Sequence, residues 1–340
     1  MSSDVFSQTL EHLKTESEPV RLAYLYNLSA LSAEKMAQFE ETWAALTPAR
    51  RKKVLEHLTG ITEDSFEVNF DPIFIMAMGD ADADVQMQAI KGLWESESPE
   101  LISPFLYLLK KGKTPQLRAT AASALGRFVY LGELDELDAE VQEVVEQALL
   151  ETIRSAQENI EVVRRAIEAI SFSAREGINR IIESAYYHDN ELMRVSAVFA
   201  MGRNGNAREW GEIVIKELDN LSPAIRFEAA RACGELALKR ATDRLIRLIQ
   251  EEADTEVQLN AIWSLGQIGG RKAESALASL IDSSSGIVQS VAQDALDELT
   301  MFADAAMMFD FAGDLDDPDA SMWDEDDFDD EDDLLTYNLN

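Results

Sequence analysis

The chain has 340 residues, with 30 Lys and Arg against 64 Asp and Glu, a formal charge of −34. An acidic excess of this size argues against binding nucleic-acid phosphates and against docking on anionic lipid, both of which need clustered bases. A hydrophobic share of 46% excludes a wholly disordered chain, and the length suits about two ordinary domains or one extended array.

The N-terminus, Met1-Ser2-Ser3-Asp4-Val5-Phe6, has no basic n-region followed by an apolar stretch, so no signal peptide is expected. No apolar run is long enough to span a bilayer. The single cysteine, Cys233, allows no internal disulfide framework. These features together predict a cytoplasmic protein.

From here the sequence repeats itself. Anchors fall at Val20, Arg50, Val85, Leu117, Val162, Met193, Ile225, Val257 and Val288, spaced 30, 35, 32, 45, 31, 32, 32 and 31 residues apart. The clearest units are Leu117-Arg118-Ala119-Thr120-Ala121-Ala122-Ser123-Ala124-Leu125-Gly126 and Ile225-Arg226-Phe227-Glu228-Ala229-Ala230-Arg231-Ala232-Cys233-Gly234. The units before residue 80 are the weakest, and the 45-residue step marks an insertion near 129–140.

Within a unit, apolar or small residues fall at offsets 0, 4, 7 and 8 from the anchor, one face of a helix. Offset 4 is alanine in seven of the nine units: Ala89, Ala121, Ala166, Ala197, Ala229, Ala261 and Ala292. So small a residue lets two helices approach closely. Proline or an acid near the start of several units (Pro19, Asp84, Pro115, Pro223) fits a helix N-terminus. Glycine at offsets 9 and 12, as in Gly202/Gly205 and Gly266/Gly269, predicts a helix stop. A second apolar helix precedes each of these, such as 101–109 or 244–249. Strand-like alternation is missing throughout the array.

The pattern apolar-Arg-x-x-Ala-Ala-x-Ala-Leu-Gly resembles the second helix of HEAT repeats, above all the short bacterial type also seen in phycobilisome-lyase-like proteins. The resemblance covers roughly residues 15–300 and is most specific from Val85 to Leu299. It implies an all-α fold, a right-handed superhelical α-solenoid of eight or nine armadillo-like helix pairs, with the second helices lining the concave side. Gln86, Gln258 and Gln289 replace the usual arginine, Val163 departs at the same offset, and Tyr24 stands where alanine is usual. On this reading residues 1–311 form the solenoid and 312–340 a separate acidic tail.

Catalytic and ligand motifs do not emerge. The recurrent Arg21, Arg51, Arg118, Arg194 and Arg226 could form an anion-binding ladder, but a position in register with the core predicts ties between neighbouring repeats. Gly202-Arg203-Asn204-Gly205-Asn206 lacks the strand and the Lys-Ser/Thr of a phosphate loop. His12, His57 and His188 have no metal-ligand spacing, and Asp314–Asp319 begins like a calcium loop without its glycine and closing glutamate. Cys233 sits at the core offset occupied elsewhere by Leu125 and Leu265, so it reads as packing. No cofactor and no enzymatic activity are expected.

Offsets 2 and 6 should face the open side of the second helix. In most units they are ordinary, as in Lys52/Glu56 or Ser290/Asp294, but three consecutive units read Val195/Phe199, Phe227/Arg231 and Leu259/Trp263. Stacked repeats would place these side by side as an apolar stripe carrying one arginine. Aromatics and arginine are the residue types that anchor interfaces. The plainer reading is that they pack between adjacent second helices.

The charge is uneven. The last base is Lys272, and residues 273–340 hold 20 acids and no base. The acids concentrate toward Asp324–Asp333, a block expected to repel itself and stay disordered. Trp323, Phe328, Leu334 and Leu335 are interleaved with them.

The leading expectation is a protein-binding scaffold or adaptor with no membrane and no direct nucleic-acid role. Its partners are proteins, taken up on the concave stripe, while the tail either guards that groove in cis or recruits basic proteins. Two alternatives stand beside it. One is a subunit handling linear tetrapyrroles, which co-purifying visible absorbance would reveal. The other is an acidic mimic of nucleic acid or a chaperone for a basic protein.

Overall fold

The computed structural model describes the backbone of residues 4–65 and 67–313, and side chains as far as Met301. Among the described residues there are only helices, turns and loops. In chain order they are α1 (Val5–Lys14), α2 (Leu22–Leu25), α3 (Ala33–Ala45), α4 (Pro48–Asp64), α5 (Asp71–Ala77), α6 (Ala83–Gly92), α7 (Ile102–Lys111), α8 (Pro115–Glu133), α9 (Ala139–Arg154), α10 (Ile160–Ile170), α11 (Ile178–Tyr186), α12 (Glu191–Arg203), α13 (Ala207–Glu217), α14 (Pro223–Glu235), α15 (Thr242–Glu251), α16 (Thr255–Ile268), α17 (Arg271–Leu280) and α18 (Gly286–Gly313). From α5/α6 to α17/α18 they pair antiparallel, each pair packing on the next, to give an all-α solenoid. The Val20 unit is reduced to the four-residue α2 and one 3₁₀ turn.

Local chemistry starts these helices. Asp82, Thr114, Asn159, Asn190 and Asp254 each accept hydrogen bonds from first-turn amides of a second helix, and proline occupies the first turn of α4, α8 and α14. The seven alanines at offset 4 are all fully buried. The long 45-residue step is taken up by α8 and α9, which reach 19 and 16 residues.

Second helices pack directly on one another along the array, α8 on α10, α10 on α12, α12 on α14 and α14 on α16, whereas first helices of neighbouring pairs barely touch. The tighter layer is the inner one, so the array curves toward its second helices. The glycines at offset 9 explain the closeness and correct the expectation of a helix stop. Gly126, Gly202, Gly234 and Gly266 all lie inside their helices. A methyl built on Gly202 would stand 2.9 Å from Ala232 Cα, and one on Gly234 would stand 2.9 Å from Ser264 Cα. Each glycine thus admits the small offset-7 residue of the following unit. Only the offset-12 glycines act as stops, Gly205 with φ 72° and Gly269 with φ 69°.

Three of the five recurrent arginines tie repeats together, whereas Arg21 pairs with Glu18 and Arg194 donates to the His188 and Asp189 carbonyls within their own units. Arg118 donates to the Gly112 carbonyl at the end of its own first helix and to Glu158 of the next unit at 2.8 Å. Arg226 does the same with the Asn220 carbonyl and Glu252, and Arg51 pairs with Asp80. Where glutamine replaces arginine the first task survives: Gln86, Gln258 and Gln289 donate to the carbonyls of Met78, Ile249 and Ile281 at 2.6–2.7 Å. These side chains satisfy carbonyls that a helix end leaves unpaired.

Candidate binding groove

The stripe residues lie in the second-helix layer and are all half-buried. Val195 and Leu259 lean on the core, while Phe199, Phe227, Arg231 and Trp263 line the hollows between helices. Arg231 stacks over the Phe199 ring at 5.2 Å, and Arg203 stacks over the same ring at 5.4 Å. Arg203 also reaches Phe172 at 5.8 Å, and Phe172 meets Tyr130 at 5.4 Å. A continuous ladder of rings and guanidinium groups therefore runs from α8 to α14. Phe227 and Trp263 extend its wall to α16.

Two hollows of about 680 Å³ and 630 Å³ share Tyr130, Phe172 and Arg203, so they form one groove. Its far end holds Trp94, 50% exposed, and Tyr130, where the two hollows meet, is 47% exposed. The tail residues Trp323, Phe328, Leu334 and Leu335 lie outside the described residues.

Sequence reasoning missed Trp94, Tyr130, Phe172, Arg203 and Glu235. Three of these were within reach, because Phe172, Arg203 and Glu235 all sit at offset 10. The series 2, 6, 10 stays on one face of a helix, so the stripe needed only one more turn. Trp94 stands at offset 9, where four other units carry glycine, and Tyr130 follows no recurrent offset.

Carboxylates are built into the floor. Glu235 holds Arg231 at 2.8 Å and Arg203 at 3.2 Å, and its pKa is raised by burial. Ser196 donates to Glu168 at 2.5 Å, and Arg164 and Arg165 also pair with Glu168. Glu228 Oε2 is buried without a hydrogen-bond partner, and burial, then the charges of Glu168 and Glu235, pushes its pKa up to about 7. Folded protein therefore holds this proton between the ordinary value of 4.5 and about 7, where unfolded chain has lost it. Stability falls as pH rises through that window. We expect Glu228→Gln to gain about 1–3 kcal/mol at high pH and almost nothing near the ordinary carboxylate value, as read by urea unfolding at the two pH values. An equal gain at both would contradict this origin.

The groove's charge differs from the chain's. Helices α6, α8, α10, α12 and α14 carry nine Lys and Arg against seven Asp and Glu, in a chain of net −34. The overall charge that argued against a basic concavity does not describe this layer.

The remaining sequence candidates have structural partners. His12 accepts from the Arg21 amide and stacks on Tyr24, and His188 accepts from the Asn190 amide. Cys233 is fully buried and its thiol pKa is pushed up to about 12 by burial. Among the described residues no group of three or more His, Cys, Asp or Glu could hold a metal ion. No helix among them is long and apolar enough to cross a membrane.

Comparison with known proteins now places the architecture. The family model for HEAT repeats matches residues 211–297, the stretch from within α13 to the first part of α18. Residues 211–297 are HEAT repeats. Among solved structures, human deoxyhypusine hydroxylase is similar at 17% identity and TM-score 0.36, with 87% of this chain and 96% of that one covered. Yeast importin-beta (Kap95p) is similar at 12% identity and TM-score 0.46, with 91% of this chain covered. The chain spans about half of the importin, 48% of its length. The YibA protein of E. coli is similar at 14% identity and TM-score 0.40, over 71% of this chain and 96% of that one. Nothing among the curated proteins matches.

Proposed function

We propose that this HEAT-repeat protein is a cytoplasmic, non-enzymatic scaffold that binds a protein partner by taking an extended segment along its concave layer. The supporting observation is the unbroken ladder Tyr130–Phe172–Arg203–Phe199–Arg231, continued by Phe227 and Trp263. Rings and guanidinium groups present large, rigid, partly dry surface, the kind that carries most of the energy of an interface. Their alignment across consecutive repeats suits a long ligand better than a compact small molecule, since stacked repeats make an extended concave surface. Val195 and Leu259 support the stripe from beneath.

The test is affinity capture by full-length protein beside the Phe227→Ala/Trp263→Ala variant. The partner taken by the parent should bind the variant at least about tenfold more weakly. Circular dichroism should show the variant still folded. Undiminished capture by a folded variant would remove the reading.

A further inference from the structure

We propose that the groove's resident occupant is the chain's own acidic-aromatic segment 314–340, laid from the α16 end of the ladder toward α6. This rests on the groove-binding reading above and names the first ligand the groove meets. Three observations carry it.

The first is charge. Residues 314–340 contain 13 acids and no base, while the second-helix layer from α6 to α14 has an excess of bases. Lys91 and Arg127 line the groove beside Trp94 and make no ion pair among the described residues. They are free to meet carboxylates brought by a ligand.

The second is position. α18 packs on α16, the helix that carries Trp263, with Gly266 against Ala295. It then runs on to Gly313, so residues 300–313 project about 20 Å beyond that contact at 1.5 Å per residue. Segment 314–340 thus starts about 20 Å past the part of α18 that packs on the Trp263 helix. An extended chain of ten residues spans up to about 33 Å, enough for Trp323 to return to Trp263.

The third is spacing. Four helix-to-helix steps of about 8–10 Å separate α16 from α8, about 32–40 Å in all. Extended chain from Trp323 to Leu335 covers about 40 Å. Trp323, Phe328 and Leu334 then fall about two repeats apart. The acids between them face Arg231 and Arg203 first, Arg127 and Lys91 last.

The experiment is disulfide trapping in the full-length chain, since buried Cys233 does not interfere. Ser123→Cys is placed in the groove and Tyr107→Cys on the first helix of the same repeat, each combined with Thr336→Cys. The groove pair should close within one chain roughly tenfold faster than the control pair, which shares the same tether. Lys91→Glu/Arg127→Glu should abolish that advantage, and about 1 M salt should reduce it. Equal closure rates, or closure mainly between two chains, would overturn the proposal. If the rates are equal and partner capture still depends on Phe227 and Trp263, the tail proposal alone falls. If the groove pair closes fast and capture ignores those residues, the partner-binding reading falls instead.

Discussion

Gly234→Val should destabilise the array by about 3 kcal/mol or more and strip the groove of Trp263 at the same time. A Cβ at this position would stand 2.9 Å from Ser264 Cα and 2.9 Å from Trp263 Cζ3. The first obstacle is backbone, so it cannot rotate away. α14 and α16 would have to separate, and the Ser264 hydroxyl would lose the Ala230 carbonyl that it reaches across the contact at 2.7 Å. The second obstacle is the indole that leans on the glycine. Overpacking commonly costs about 1–3 kcal/mol, and a branched side chain against backbone belongs at the top of that range. Gly60→Val is the control, because a Cβ there meets nothing within 4 Å. Urea unfolding of the two variants decides the matter. A Gly234→Val midpoint equal to that of Gly60→Val would show that the helix contact is not as tight as the geometry requires.

Arg226→Ala should cost about 2–4 kcal/mol, from the loss of one tie between repeats. Arg226 donates from Nε and Nη2 to the two oxygens of Glu252, at 2.6 and 2.9 Å, and from Nη1 to the carbonyls of Asn220 and Leu221. The Glu252 side chain is only 4% exposed. Removing its partner leaves a carboxylate held only by the amides of Ala253 and Asp254. The hydrogen bond from Arg226 is the main reason that the Glu252 pKa lies below its ordinary value. A lowered carboxylate pKa means stability present above the ordinary value and lost as pH falls through the folded one. The deficit of Arg226→Ala should therefore be full at neutral pH and shrink in acid. A deficit independent of pH would assign it to the two carbonyls instead.

Much of this molecule is legible in its sequence, and the reasons are local. A helix face repeats every few residues, so the burial of Ala89 through Ala292 follows from spacing alone. The ties of Arg51, Arg118 and Arg226 between repeats could be assigned, because a side chain in register with the core meets similar neighbours, but Arg21 and Arg194 stay within their own units. Gly126, Gly202, Gly234 and Gly266 were misread for a reason that is not local. The residue each one makes room for lies in the next unit, and a helix stop was the simpler local explanation. The groove shows the same limit. Its stripe was traced at offsets 2 and 6, but Phe172 and Arg203 are joined to it by stacking across repeats and Glu235 by ion pairs. Trp94 and Tyr130 reach it only because α6 and α8 end beside it. Average charge misled as well, because the acids gather away from the second helices of α6 to α14 and at the end of the chain.

The tight inner seam and the loosely touching outer helices have a mechanical consequence. In a curved beam of this kind, the layer of closest contact is the neutral axis, whose length stays constant when the beam bends. Glycine against alanine or serine fixes that axis at backbone distance, while the first helices are free to spread or close like the outer edge of a fan. Flexing the solenoid would then change its outer face much more than the spacing of the rings along its inner one. The groove is thus a ruler of nearly constant pitch set in a compliant body.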